Sequence, residues 1–234
     1  MNTNRNPGIN PYIIGTPIRG DNTDWIFGRK DVFIFIRDSL DQDATRILLH
    51  GQRRIGKSSV LQQIPQQITG DECLFFQIDF QDESQTSIDR LIHKITSVIA
   101  ETLEDLGYPK IDFPSVEALE TGLEDSWLQF IKEFRKLIDT KKVVLLVDEF
   151  DVLNEANSPI KNNFELYRKL DDMLSRDERL CMISVCGRNI DELEDIFSLF
   201  KAAPVHEISF MEPEIAISTI TRPVQGNIEY QEDA

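Results

Sequence analysis

Gly51-Gln52-Arg53-Arg54-Ile55-Gly56-Lys57-Ser58-Ser59 fits G-x-x-x-x-G-K-[ST], the phosphate-binding P-loop pattern. The spacing has a chemical reason. Two glycines bracket a tight turn that a Cβ would obstruct, so backbone N–H groups can point inward at a polyphosphate. A helix beginning near Lys57 adds its N-terminal donors and the positive end of its dipole. Lys57 then reaches the β- and γ-phosphates, and the Ser58 hydroxyl is a ligand for Mg²⁺. A nine-residue pattern needs its context, and the context is present. Thr45-Arg46-Ile47-Leu48-Leu49-His50 before it is a short apolar run suited to a buried strand. Ser59-Val60-Leu61-Gln62-Gln63-Ile64 after it can continue as a helix.

The second half of the site follows about ninety residues later. Val143-Val144-Leu145-Leu146-Val147-Asp148-Glu149 is an apolar strand ending in two acids, the Walker B pattern. Asp148 is expected to hold Mg²⁺ beside Ser58, and Glu149 to polarise the attacking water. Arg188 follows the next apolar run, Leu180 to Cys186. It reads either as a sensor of phosphate charge or as a surface arginine paired with Asp191 or Glu192. Asp151 and Asp79 read as loop acids. Arg53 and Arg54 are candidates for phosphate or for a neighbouring subunit. His50, His93 and His206 form no ligand pattern. The Asn-Lys-x-Asp stretch of a guanine site is absent, so ATP is expected rather than GTP.

Around these motifs, strands alternate with helices. Strands are expected at 45–50, 73–80, 142–148, 180–186 and 205–210. Val32-Phe33-Ile34-Phe35-Ile36 suits a strand by composition and a helix by spacing, and we assign a helix. Ser87 to Leu106 carries one apolar stripe and is stopped by Gly107. Pro65 should kink or shorten the helix after the P-loop, with Gly70-Asp71 as its end. Residues 108–124 read as a variable surface excursion, followed by a helix from Asp125 to Ile138. Further helices are expected at 162–175, 190–200 and 212–221. The pattern implies an α/β fold with a parallel sheet covered on both faces.

The chain has 234 residues, a formal net charge of −16 and three cysteines without metal-ligand spacing. No apolar run is long enough to span a bilayer, and the N-terminus lacks the apolar region of a signal peptide. Reduced core cysteines and the missing leader point to the cytoplasm. The acidic balance argues against nucleic acid as a partner.

The sequence resembles the STAND and AAA+ branch of P-loop ATPases, and is most similar to the AAA-like, archaeal-type ATPase domains related to origin-recognition ATPases. The resemblance lies in Asn10 to Ile18 with Phe27-Gly28-Arg29, in Gly51 to Ser59, in Asp148-Glu149-Phe150-Asp151 and in Cys186-Gly187-Arg188. Ser209 to Val224 is similar to the family's passage into its helical lid. The resemblance implies a three-layer P-loop NTPase sandwich with strand order 5-1-4-3-2. It implies adenine held near Phe27, Gly28 and Arg29, and Arg188 as first sensor. It divides the chain into an arm (1–24) packed on the core, an ATPase core (25–210) and the start of a lid (211–234), where the sequence is expected to be truncated. The function implied is a Mg²⁺-dependent ATPase acting as a nucleotide-driven switch, with a protein effector or self-assembly as its output. The alternative is an ATP-binding scaffold with little or no hydrolysis.

Overall fold

The computed structural model describes residues 28–68, 72–81, 87–154, 168, 171–172, 175–187, 200 and 202–222. The arm at 1–24, Phe27, the stop at Gly70-Asp71, Arg188 and nearly all of the helices expected at 162–175 and 190–200 lie outside them.

Five parallel strands form one sheet in the order β2-β3-β4-β1-β5, the expected order read from the opposite edge. They are β1 (Arg46–His50), β2 (Cys73–Asp79), β3 (Lys142–Asp148), β4 (Leu180–Cys186) and β5 (Val205–Glu207). The two middle strands explain why their sequences are continuously apolar. Val143, Leu145 and Val147 enter one core, and Val144 and Leu146 enter the other, because successive side chains leave a strand on opposite faces.

The helices cover both faces. α1 (Lys30–Asp41) and α2 (Lys57–Gln67) pack Val32, Phe33, Ile36, Leu40, Val60, Leu61 and Ile64 into one core. The helix assignment for Val32 to Ile36 is the observed one. Spacing prevails over β-propensity there because Phe33, Ile36 and Leu40 share the buried side. On the opposite face, α3 (Ile88–Asp105) and α4 (Val116–Ile138) contribute Leu91, Ile92, Ile95, Ile99, Leu103, Trp127, Phe130 and Phe134. Ser87 caps α3 by accepting from the Arg90 N–H, and Gly107 beyond its end has φ 82°.

Two expectations change and one is narrowed. Residues 108–124 are not wholly irregular, because Ser115 caps the start of α4 by accepting from the Ala118 N–H. Leu119 buries itself, and only Gly122 breaks the helical backbone (φ −159°, ψ 72°). Exposed acids at 117, 120 and 124 hide this short apolar face from a reading by spacing. α2 carries Pro65 in its last turn and continues two residues beyond it, so the proline shortens rather than interrupts the helix. β5 is three residues long rather than six, because Ile208 and Ser209 turn toward the P-loop. The last helix described is α5 (Pro213–Thr221). Among the described residues, no helix is long and apolar enough to cross a membrane.

Candidate phosphate site

The register of the strands brings the two motifs together. His50 is level with Cys186 on β4, while Val147 of β3 is level with Ser184 on the other side of the same strand. The C-terminal ends of β1, β4 and β3 therefore stand side by side. β4 is inserted between two strands that precede it in sequence, and open α/β sheets bind ligands at such a switch of strand order.

The loop's backbone depends on its glycines. Gly56 caps α2 with φ 100°, a left-handed conformation that a Cβ disfavours. Gly51 has a different constraint: a Cβ there would lie 2.4 Å from the Ile208 carbonyl oxygen. No side-chain hydrogen bond caps the start of α2, the end of a helix where backbone N–H groups and the dipole favour an anion. Lys57 is 7 % exposed and its Nζ donates to the Gln52 carbonyl at 2.8 Å, which closes the loop. Burial lowers the Lys57 pKa, and the carboxylates of Glu149, Asp151 and Asp148 oppose that shift.

Ser58 and Asp148, both predicted as metal ligands, meet directly: the Ser58 hydroxyl hydrogen-bonds the Asp148 carboxylate. Burial raises the Asp148 pKa, and the bonds from Ser58 and from the Glu149 N–H, at 3.0 Å to Oδ1, pull it back down. A hydroxyl and a carboxylate side by side are hard oxygen donors that suit Mg²⁺. Among the described residues, no cluster of three or more His, Cys, Asp or Glu could hold a metal alone.

Glu149 stands at the head of a strained turn, with φ 52° in the left-handed region. Phe150 anchors that turn in the core, against Phe80 and Phe200 at ring-centroid distances of 6.1 and 5.7 Å. The Glu149 pKa is raised, first by burial and then by Asp151 and Asp148, with Lys57 and Arg53 opposing.

Two acids differ in importance from their reading as loop residues. Asp151 is only 4 % exposed, and its Oδ1 accepts from the Gly187 N–H at 3.1 Å across the end of β4. The face of Gly187 where a Cβ would sit looks onto Arg53 Cγ, Asp151 Oδ2 and Lys57 Nζ at 3.8, 3.8 and 3.9 Å. Asp79 pairs in register with Asp148 and is one of the charges that raise its pKa. Its carboxylate also accepts from the Gln81 N–H at 2.8 Å, as a strand-end acid does.

The remaining predicted residues divide. Gln52, Arg53 and Arg54 are exposed on the loop, and Arg54 adopts φ 65°. Ile55, Gly56, Ser58 and Ser59 are half-buried. Arg29 is 6 % exposed, and its guanidinium donates to the Ile55 carbonyl at 2.8 Å and to the Ser209 carbonyl at 2.7 Å. Gly28 has φ 65° and lies directly against Ile215 of α5. Phe27 and Arg188 lie outside the described residues.

With this geometry established, comparisons with known proteins become informative. Among curated proteins none matches the sequence. The fold is similar to the Walker-type ATPase PABY2304 of Pyrococcus abyssi, with a TM-score of 0.67 and 15 % identity over 92 % of this chain and 63 % of that one. It is similar to the Aeropyrum pernix ORC1 protein in complex with DNA, with a TM-score of 0.51 and 14 % identity over 83 % of this chain and 49 % of that one. A chain of Drosophila ORC bound to GC-rich DNA and Cdc6 has a TM-score of 0.51 and 7 % identity, over 84 % and 30 %. The chain thus spans less than two thirds of each structure's own chain.

These neighbours correct one expectation. The net charge of −16 argues against nucleic acid as a partner, yet chains of this fold are solved in complexes with DNA. A sum over the whole chain does not describe a local contact face, and phosphate contacts are local. The sequence also matches a family profile described as AAA domain over residues 40–197, a span that runs from before the P-loop to beyond Arg188. That span is well over half of the sequence, and the chain therefore belongs to the AAA domain family.

Proposed function

We propose that the chain is the ATP-binding, Mg²⁺-dependent ATPase core of a nucleotide-driven switch. The observation that carries this reading is the Ser58 hydroxyl bonded to the Asp148 carboxylate above a buried Lys57. One motif supplies the phosphate cradle, the other supplies the acid, and the sheet brings them into contact.

In this reading the loop's N–H groups and Lys57 bind and orient the β- and γ-phosphates of ATP. Ser58 and Asp148 hold Mg²⁺, which when bound neutralises charge between those phosphates. Glu149 orients water for in-line attack, and its raised pKa suits a group that takes up a proton. Asp151 fixes the end of β4, and with it the backbone entering Arg188, the proposed sensor. Phe27, Gly28 and Arg29 contribute to the side of the site where the base lies. The effector is a protein partner or a second copy of this chain, and the compartment is the cytoplasm.

Phosphate release separates a switch that hydrolyses ATP from a scaffold that only binds it. Wild-type protein and Glu149→Gln are compared with Mg²⁺·ATP in single turnover. Hydrolysis predicts a loss of about 100-fold or more in the variant with nucleotide binding retained. Equal rates of release in the two proteins would contradict it. Because two fold neighbours are bound to DNA, duplex DNA is included as a second ligand, with and without ATP.

A further inference from the structure

Arg29 makes an unusual pair of contacts for a residue in a phosphate-binding domain. One nitrogen donates to the carbonyl of Ile55, the residue before Gly56 in the P-loop. The other donates to the carbonyl of Ser209, in the segment that leads from β5 into α5. The guanidinium is buried, which lowers its pKa and makes each of these bonds costly to lose.

Other contacts join the same segments. The Ile208 N–H donates to the His50 carbonyl at 2.7 Å, one residue before the loop. The Ile208 carbonyl closes over Gly51 so tightly that a Cβ would stand 2.4 Å from it. On the far side, Gly28 abuts α5, where a Cβ would lie 2.3 Å from Ile215 Cγ2. No residue of α5 is fully buried, and Ile215 is the side chain that meets Gly28.

We propose that Arg29 is a positioning residue: a two-pronged strut that fixes the phosphate loop to the passage into α5, so that the order of one depends on the order of the other. Arginine suits this because its planar fork reaches two carbonyls at once, whereas an ammonium is a single point charge.

Amide hydrogen exchange without nucleotide tests the strut. Arg29→Ala should speed exchange about tenfold or more at both 52–58 and 208–215, while the amides of 143–147 stay unchanged. Arg29→Lys should restore protection to one of the two segments and not to both. Faster exchange in only one segment of Arg29→Ala, or restoration of both by lysine, overturns the proposal. Ile215→Ala tests the same coupling from the other end and keeps the test valid if Arg29→Ala fails to fold. Ile215 lies against Gly28, next to Arg29, so the strut predicts exchange about threefold faster or more at 52–58 as well as in α5. Loop amides that stay unchanged while α5 loosens would overturn it. A final arm uses a non-hydrolysable ATP analogue with Mg²⁺ and rests on the proposed function. Arg29→Ala should weaken its binding about tenfold, and unchanged affinity overturns the strut's role in shaping the loop. Because exchange is read without nucleotide, a wild type that binds no ATP analogue defeats the functional reading and leaves the exchange result standing.

Discussion

At the scale of single residues, the site turns on what each acid contacts. Asp148 and Glu149 stand out in the sequence as candidates because two acids close a long apolar run that follows a P-loop. Asp151 does not, because its importance depends on where Gly187 lies, thirty-six residues later in the chain. Its substitution separates hydrogen bonding from charge. Asp151→Ala leaves the half-buried Gly187 N–H without its acceptor and should cost about 1 kcal/mol, read by chemical denaturation. Asp151→Asn keeps an acceptor in the same place and should recover most of that loss. An asparagine variant as unstable as the alanine one would show that the negative charge, rather than the bond to Gly187, holds the strand end. Arg29 illustrates the same limit of sequence reasoning. Its neighbourhood, Phe27-Gly28-Arg29, is recognisable, but the two carbonyls its guanidinium serves are backbone groups whose approach no side-chain pattern records.

At the scale of elements, spacing and caps specify most of the fold. The continuous apolar runs of β3 and β4 identify central strands of a parallel sheet, and α3 announces itself by one stripe between Ser87 and Gly107. The start of α4 escapes because its information lies in a cap and not in a stripe. Ser115 accepts from the Ala118 N–H, about three turns before the broad aromatic face at Trp127, Phe130 and Phe134 begins. Ser115→Ala should therefore cost about 1 kcal/mol, seen as a lower thermal midpoint with the fold unchanged. No change in midpoint would mean that burial of Leu119 alone holds the first turn. β5 is shortened for a related reason: an apolar pattern continues through Phe210, but Phe210 is 72 % exposed and the Ser209 carbonyl is engaged by Arg29.

At the scale of the whole molecule, strand order does what neither motif does alone. It places the P-loop strand and the Asp148 strand on either side of β4, so Ser58 and Asp148 meet although they lie far apart in sequence. Alternation of strands and helices implies the layers, while the order itself came from the family resemblance. Net charge is a poor guide to partners for the opposite reason, since it averages over every face. One pH effect does follow from burial at the site's edge. His50, beside the loop, has its pKa lowered by burial first; Glu207 opposes the shift and His206, itself beside Asp31, adds to it. The unfolded chain then binds more protons at this position than the folded one. Its contribution is intact above the unfolded value of about 6.5 and is lost as pH falls through that value toward the folded one. Denaturation at pH 7.5 and 5.5 should show wild type losing more stability than His50→Gln, and equal losses would remove His50 from the explanation. The central claim is that Gly51 to Ser59 is an ATP cradle, and calorimetric titration of wild type and Lys57→Ala with Mg²⁺·ATP tests it most directly. The account predicts saturable binding by wild type and affinity weakened about tenfold to a hundredfold in the variant; equal affinity in the two proteins would contradict it.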